Sequence, residues 1–97
     1  MREITGFQRD LLYVISGLDD PKGMQIQEEL ENYYGTNVLH ARVYQNLDEL
    51  VEADLVEKGQ QDSRTNYYRL TEAGEEAIEE RREWESQYVE PMLKDAN

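Results

Sequence analysis

Apolar residues recur at helical spacing in the first part of the chain. The first such segment follows Thr5 and Gln8, which have the spacing of a capping box, a pair of side chains that satisfies free backbone groups at a helix start. Steps of one, three and four residues then separate the apolar positions, which places them on one helical face. The sequence therefore predicts a first, core-facing helix that buries Phe7, Leu11, Val14, Ile15 and Leu18.

A second helical segment follows the break at residues 19–21 (Asp-Asp-Pro). Asp20 is the expected N-cap, with Pro21 at the first helical position, where the missing N–H of proline costs no hydrogen bond. Gly35 is the expected glycine at the end of this helix. The face predicted to be buried contains Ile26, Leu30 and either Tyr33 or Tyr34.

A third apolar stripe begins after a connection of only a few residues. Its members are Leu39, Val43, Leu47, Leu50 and Val51. The opposite side of this helix would present Ala41, Arg42, Gln45 and Asp48. Two helices joined by so short a connection are typical of a helix-turn-helix.

The second half of the chain contains two β-type runs, residues 55–58 and 66–70, separated by polar residues 59–65. This pattern predicts a β-hairpin with a polar tip. Thr71 then follows as a candidate cap for a final helix of about 18 residues, which Pro91 should end or bend near Val89. The apolar positions of that helix are Ala73, Ala77, Ile78, Trp84, Tyr88 and Met92.

These elements together predict a mainly α fold with a small β-hairpin wing. We expect a winged helix-turn-helix over residues 1–70 and a C-terminal dimerisation helix and tail over residues 71–97, in one structural domain. The last helix is too long for the head to cover, so its distal half should expose an apolar patch that a second copy would cover. The alternative is a helix that folds back onto the first helix. The predicted interface consists of Trp84, Tyr88, Val89, Met92 and Leu93.

Composition narrows the possible chemistry. The absence of Cys excludes disulfides and thiolate zinc sites, and a single His excludes a His-rich metal site. With no glycine-rich phosphate loop and no serine in a nucleophile elbow, we expect no catalytic residues, no cofactor and no enzyme. The paired acids of the last helix are expected to be a solvated face. No apolar run is long enough to span a membrane and no secretion signal is evident, so we expect a cytoplasmic protein.

The net charge of −12 would ordinarily argue against a nucleic-acid partner. A cytoplasm of very high salt would remove the conflict, because salt screens carboxylates that lie away from an interface. The excess of Asp and Glu, the few Lys residues and the absent Cys resemble proteins of salt-accumulating halophiles, so we expect a halophilic archaeon as the source. An ordinary acidic protein with a strongly charged surface is the alternative.

The distribution of charge supports a DNA partner despite the total. Residues 32–47 contain no Asp or Glu although 22 of the 97 residues are acidic, and residues 63–71 form the next-longest acid-free stretch. These stretches cover the start of the third helix and part of the hairpin, the two elements that this fold presents to double-stranded DNA. The competing hypothesis is an acidic protein-interaction module or a DNA mimic, whose surface would be uniformly acidic.

Several polar residues of the third helix are candidates for DNA contacts. Arg42 can bind guanine or a phosphate, or it can pair with Asp48 or Glu49. Gln45 and Asn46 carry amides that can read adenine, although Asn46 lies near the apolar stripe and can instead bond within the fold. The remaining candidates in this region are Asn37, His40 and Tyr44, of which Tyr44 can donate to a phosphate or pack against the first helix.

In the hairpin, Arg64 is the candidate for the minor groove or the flanking backbone, with Lys58 and Asn66 at the hairpin shoulders. Tyr68 and Leu70 are expected in the core, whereas Arg69 points the other way and can bond inside the domain. In the last helix, Trp84 and Tyr88 can line a pocket for an unknown small-molecule effector or can simply pack.

Three segments resemble a known family. The runs KGMQIQEEL, VYQNLDELVEADLVEKG and SRTNYYRLTEAGEEAI are similar to the second helix, recognition helix, wing and fourth-helix opening of PadR-like winged-helix transcriptional regulators. The resemblance implies a homodimer that binds operator DNA, usually as a repressor, and that dimerises through its C-terminal helix. Leu39 stands where the family has a small polar cap, so Asn37 or Thr36 should cap the recognition helix, or the helix should start differently. Asp54 replaces a customary glycine, in a left-handed conformation that Asp tolerates.

Overall fold

Four helices and one hairpin form the fold in a computed structural model that describes residues 3–95. The elements are α1 (Gly6–Gly17), α2 (Gly23–Tyr34), α3 (His40–Glu52), β1 (Val56–Gln60), β2 (Asn66–Leu70) and α4 (Glu72–Asp95). Helices α1, α2 and α3 and the inner face of the hairpin enclose the core. The predicted winged helix-turn-helix is confirmed. None of the helices in the described part has the length and apolar character needed to cross a membrane.

The start of α1 agrees with the prediction. The Thr5 hydroxyl accepts a hydrogen bond from the Gln8 N–H at 3.1 Å, and the Gln8 side chain accepts one from the Thr5 N–H at 3.3 Å. This capping box fixes where the helix begins and which face meets the core. The predicted stripe is buried at Phe7, Leu11 and Ile15, and Leu12 joins it.

Helix α2 does not start as predicted. It begins at Gly23 after Lys22, so the expected N-cap at Asp20 and first helical position at Pro21 are wrong. Pro21 is buried, and its carbonyl accepts a hydrogen bond from the Tyr68 N–H at 2.9 Å, while Lys22 forms an isolated antiparallel bridge with Tyr67. The segment before α2 is therefore held in extended form along the hairpin, where it cannot also be the first turn of a helix.

The far end of α2 is as expected, because Gly35 has φ 72°, the left-handed conformation that ends many helices. Ile26 and Leu30 are buried, and of the two tyrosines it is Tyr34 that packs against the core. Tyr33 is 81% exposed. The connection to α3 is held by Glu31, whose carboxylate accepts from the Val38 N–H at 2.9 Å.

Helix α3 buries Val43, Leu47 and Leu50. The prediction that Leu39 belongs to this stripe is wrong: Leu39 is the N-cap residue and is 76% exposed. Among residues 3–95 no side chain makes a capping hydrogen bond to this helix, so neither Asn37 nor Thr36 has the capping role considered for it. After α3 the chain turns through Asp54, which has φ 62° and thus the expected left-handed conformation.

The hairpin pairs β1 with β2 in an antiparallel register that places Val56 opposite Leu70 and Gly59 opposite Tyr67. Strand β1 extends to Gln60, two residues further than the sequence pattern indicated. The tip is organised by Asp62, whose carboxylate accepts from the N–H groups of Arg64 and Thr65 at 2.8 and 2.9 Å. These backbone hydrogen bonds, that of Arg64 first, lower the pKa of the Asp62 carboxyl.

Helix α4 starts after Thr71, whose hydroxyl accepts from the Gly74 N–H at 3.0 Å and donates to the Asp54 carbonyl at 2.6 Å. Gly74 lies against the Leu55 backbone, because a Cβ there would be 2.1 Å from the Leu55 oxygen. The helix continues for 24 residues through Pro91, so the predicted end near Val89 is wrong. Its first half covers the core, and its second half projects from a molecule of 52 × 30 × 22 Å.

Candidate nucleic-acid interface

The outer side of α3 carries the predicted base-reading residue Gln45 in a solvent-exposed position. Within residues 3–95, the Gln45 side chain makes no hydrogen bond, so its amide is available to a ligand. An amide that can both donate and accept matches the N6 and N7 groups of adenine. The acid-free stretch that precedes and contains this residue keeps carboxylates away from the first half of the helix.

Arg42 lies at the edge of the same surface. Its guanidinium carbon is 3.9 Å from the centroid of the Phe7 ring, a cation–π contact with the first turn of α1. Among the described residues it forms no salt bridge with Asp48 or Glu49, the alternative that its sequence position allowed. The guanidinium is exposed and is held against an apolar ring, which leaves its N–H donors available to a phosphate or a base.

Asn46 is engaged within the fold. Its side-chain oxygen accepts from the Gln8 amide at 3.0 Å, and its side-chain nitrogen donates to the Arg42 carbonyl at 2.7 Å. Gln8 is the buried partner in this pair, so the contact ties α3 to the capping box of α1. Asn46 therefore has the internal role that the sequence left open, and it positions the helix that carries Arg42 and Gln45.

Tyr44 packs against the start of α2 and is partly buried against the core. The fit is close, since a Cβ at Gly23 would be 2.2 Å from the Tyr44 hydroxyl. On its other side, the Tyr44 ring lies 4.3 Å from the ring of His40, whose Nδ1 is 3.3 Å from the Gln27 side-chain oxygen. Only glycine at position 23 lets the tyrosine hydroxyl reach the N-terminus of α2.

A cavity of about 240 Å³ lies between this helix start, Tyr44 and the wing. We call it the notch. It brings together the predicted DNA-contact residues Tyr44, Arg64 and Asn66 with Lys22, which the sequence analysis missed. Lys22 was missed because the expected helix start at Asp20 placed it inside α2, whereas it precedes the helix and faces the wing. The notch is lined by Lys22, Gly23, Met24, Tyr44, Arg64, Thr65 and Asn66.

The notch combines features that favour an anion. Two cationic side chains and a phenol hydroxyl surround the first residues of α2, where free backbone N–H groups carry a partial positive charge. The remaining predicted residues lie outside it. Lys58 is 3.6 Å from Asp48, in an exposed ion pair, while Asn37 is exposed in the connection between α2 and α3.

Arg69 fixes the wing to the body of the domain. Its guanidinium donates to both carboxylate oxygens of Asp20, at 3.0 and 2.7 Å, and lies 3.6 Å from Glu57. We call this two-bond ion pair the Asp20–Arg69 fork. It lowers the pKa of the Asp20 carboxyl and raises the pKa of Arg69. The expectation that Arg69 bonds inside the domain is confirmed, and its partner is the residue that was expected to cap α2.

The distal half of α4 does not fold back onto α1. Trp84, Tyr88 and Met92 are 50%, 63% and 60% exposed, and Val89 and Leu93 are also on the surface. The Trp84 and Tyr88 rings pack edge to face at 5.3 Å, with the Arg81 guanidinium 4.5 Å from the indole ring. We call these five apolar residues the distal face. Of the paired acids of the same helix, Glu85 is partly buried and the others are exposed. The described residues contain no cluster of three or more potential metal ligands.

A helix-turn-helix followed by a hairpin wing defines the winged-helix class of DNA-binding folds, and in this chain a long projecting helix follows the wing. Within that class, residues 11–80 match the sequence model described as "Transcriptional regulator PadR-like family". The chain therefore belongs to the PadR-like family of transcriptional regulators, as its sequence motifs indicated, and not to a family of enzymes.

Solved structures agree with this assignment. RosR of H. salinarum, in crystals grown from NaBr, is 39% identical, with 98% of this chain and 94% of that chain covered and a TM-score of 0.83. The complex structure of hsRosR-S1 has the same identity, a TM-score of 0.85, and covers 98% of this chain and 93% of that chain. FabT of Streptococcus pneumoniae in complex with DNA shares the fold at 21% identity, with 96% and 62% coverage and a TM-score of 0.78. A sequence comparison with curated proteins finds no match.

Proposed function

We propose that this transcriptional regulator binds an operator as a homodimer in which each protomer places α3 in a major groove and the wing against the adjoining backbone. Gln45 and Arg42 contact base edges, and the notch receives a backbone phosphate. The observation that carries the proposal is the notch, because it joins two cations, a tyrosine hydroxyl and a helix N-terminus directly beside the exposed side of α3. The protein has a net charge of −12, yet two cationic side chains lie together at the notch. This local positive charge indicates an anionic partner.

The dimer is proposed to form through the distal face. Five large apolar side chains that lie on one exposed helix half are an unusual surface for a monomer, and a second copy would remove them from water. Two-fold pairing would also present two recognition helices to a palindromic operator. A dimer bound over a promoter would act as a repressor by excluding the polymerase. This role places the protein in the cytoplasm with the DNA.

The direct test is binding of the protein to fluorescent DNA from its own upstream region, at KCl concentrations up to molar, with unrelated DNA as competitor. Saturable binding that resists the competitor is expected. The slope of log affinity against log salt concentration gives the number of phosphate contacts. Binding that unrelated DNA abolishes at every salt concentration would refute sequence-specific recognition. Complete absence of DNA binding would favour the acidic protein-interaction module.

A halophilic source is proposed from the same acidic composition. Because salt screens the repulsion among carboxylates, the melting temperature should rise as KCl is increased to molar concentration. The measurement is thermal unfolding followed by circular dichroism. A melting temperature that does not change with KCl would contradict the proposal.

A further inference from the structure

A second cavity, of about 390 Å³, lies between α1 and α2 and is distinct from the notch and from the distal face. We call it the α1–α2 cavity. Its lining residues all belong to these two helices, so one protomer forms it without a contribution from α3, the wing or α4. Its size is in the range of small-molecule sites. The lining residues are Asp10, Tyr13, Val14, Glu29, Leu30 and Tyr33.

Two carboxylates border the α1–α2 cavity without a cationic partner. In residues 3–95, neither Asp10 nor Glu29 forms a salt bridge with a lysine or arginine. Asp10 accepts one hydrogen bond, from the Tyr34 hydroxyl at 2.5 Å. Burial, reinforced by this carboxylate, raises the pKa of Tyr34 to about 12, so the Tyr34 hydroxyl keeps its proton and remains a donor. The polar lining is therefore acidic, with no basic residue among its members.

The rest of the lining is apolar or aromatic. Tyr13 and Tyr33 border the cavity together with Val14 and Leu30. The hydroxyl of Tyr13 is the one buried side-chain polar atom in the described part of the chain that has no hydrogen-bond partner. Aromatic rings next to carboxylates attract cations through both charge and the negative face of the ring.

We propose that the α1–α2 cavity binds a small organic amine in its cationic form. The ammonium or amidinium group pairs with Asp10 and Glu29, and the organic part lies between the tyrosines and the apolar wall. A small anion would meet two uncompensated carboxylates. A bare metal ion is less suited, because the described residues nowhere group three or more acidic, His or Cys ligands.

The cavity connects to the recognition helix through a short series of contacts. Asp10 holds Tyr34, whose ring centroid is 6.4 Å from that of Phe7, and Phe7 carries the Arg42 guanidinium at 3.9 Å. A cation drawn to Asp10 competes with the Tyr34 hydroxyl for the carboxylate, which disturbs the ring that supports Arg42. The amine therefore lowers operator affinity severalfold. This regulatory step rests on the proposed function, whereas the binding step does not.

The binding step can be tested on the full chain with tyramine, tryptamine and benzamidine as probes, in molar KCl to suppress general attraction to the acidic surface. Calorimetry gives the affinity, and amide chemical shifts give the location. At least one amine should bind with shifts centred on residues 10–14 and 29–34. The anionic counterpart of tyramine, 4-hydroxyphenylacetate, should not bind.

Glu29→Gln should weaken amine binding about tenfold, as expected for the loss of one ion pair of a partly enclosed site. Glu29 is exposed and makes no contact that the fold requires, so this variant should fold normally. Glu28→Gln is the matched control, since Glu28 is exposed on the same helix but does not line the cavity, and it should bind the amine unchanged. The proposal is overturned if none of the three amines binds, or if Glu29→Gln and Glu28→Gln change amine affinity equally.

Operator binding by the free protein separates the two proposals. If an amine binds at the cavity but no DNA binds, the amine site is supported and the proposed function is refuted. If the operator binds specifically and no amine does, the cavity proposal fails alone. If both bind but the amine leaves operator affinity unchanged, the regulatory step is overturned.

Discussion

The surface proposed to bind DNA and the surface proposed to bind a second copy differ in how their side chains are held. Around α3 and the notch, polar side chains are fixed by contacts within the domain: Arg42 by the Phe7 ring, Tyr44 by Gly23 and His40, and the helix itself by Asn46. The distal face instead consists of apolar side chains that extend into solvent from a single helix. The first surface is preorganised for a rigid polyanion, whereas in the second Trp84 and Tyr88 contact each other, and the proposed partner would order the other side chains.

The most damaging change should be Trp84→Glu, which places a charge within the distal face. The dimer should dissociate into monomers, and operator affinity should fall by roughly 10²- to 10⁴-fold, as when a two-site contact becomes a one-site contact. Light scattering measures the first effect and DNA titration the second. Gln87→Glu is the control, because it adds the same charge at an exposed position outside the distal face. A Trp84→Glu protein that remains dimeric would disprove the interface.

The next effect should come from Gly23→Ala. The new Cβ would lie 2.2 Å from the Tyr44 hydroxyl, so the ring must move out of the notch, at a cost of about 1–3 kcal/mol in the free energy of unfolding. Operator affinity should fall as well, because the displaced Tyr44 hydroxyl would no longer be held in the notch that receives the phosphate.

Gly17→Ala is the matched control for this change. A Cβ at Gly17 meets no atom of the described part of the chain within 4 Å, so stability should be unchanged or slightly increased. Chemical denaturation and DNA titration of the two variants give the comparison. Equal behaviour of the two variants would show that the contact between Gly23 and Tyr44 has no role.

Within the DNA-facing surface, Lys22→Ala and Gln45→Ala should have different effects on DNA affinity. Loss of Lys22 should weaken binding to all DNA and reduce the salt dependence by about one unit of log–log slope. Loss of Gln45 should cost about 1–3 kcal/mol on the preferred operator and little on unrelated DNA. Titrations of both DNAs at several salt concentrations separate these effects. If Lys22→Ala leaves the salt dependence of DNA affinity unaltered, the notch does not contact a phosphate of the DNA.

The smallest effect should follow from loss of the Asp20–Arg69 fork, which lies on the surface. Because the folded-state pKa of Asp20 is below the ordinary 3.8, the fork contributes to stability above that pH, and the contribution disappears as the pH falls through the lowered value. Asp20→Asn should therefore reduce the melting temperature slightly at neutral pH and not at all in strong acid. An equal reduction in melting temperature at both pH values would contradict this account.

Local signals predicted the fold where local contacts determine it. The capping box of Thr5 and Gln8, the glycine at Gly35 and the stripe of α3 after Leu39 depend on residues within one or two turns. The start of α2 could not be predicted in the same way, because Arg69, forty-nine positions away, takes the Asp20 carboxylate that would have capped the helix. Lys22 was missed as a site residue for the same reason.

Long-range contacts also decided the roles of individual site residues. Asn46 has amide chemistry suited to DNA, yet its partner Gln8 is 38 positions away, and only the packing of α1 on α3 shows that both of its groups are occupied. Helical periodicity predicted that Arg42 lies on the exposed side of α3, as it does, but its support by Phe7 depends on the same packing. Sequence therefore predicted which side of α3 is exposed, while the tertiary structure showed which of its polar groups are occupied within the domain.

The joint at Thr71 determines the direction in which α4 leaves the domain. Its hydroxyl holds both the first turn of α4 and the carbonyl of Asp54, and the close approach of Gly74 to Leu55 leaves little room for tilting. In the proposed dimer this helix acts as a lever arm: at 1.5 Å per residue its 24 residues span about 36 Å, so a tilt of ~10° at the base moves the tip by ~6 Å. That displacement approaches two base-pair steps of about 3.4 Å along DNA. Substitutions at this joint would therefore change which operator spacing the regulator accepts, although they touch neither the DNA nor the partner.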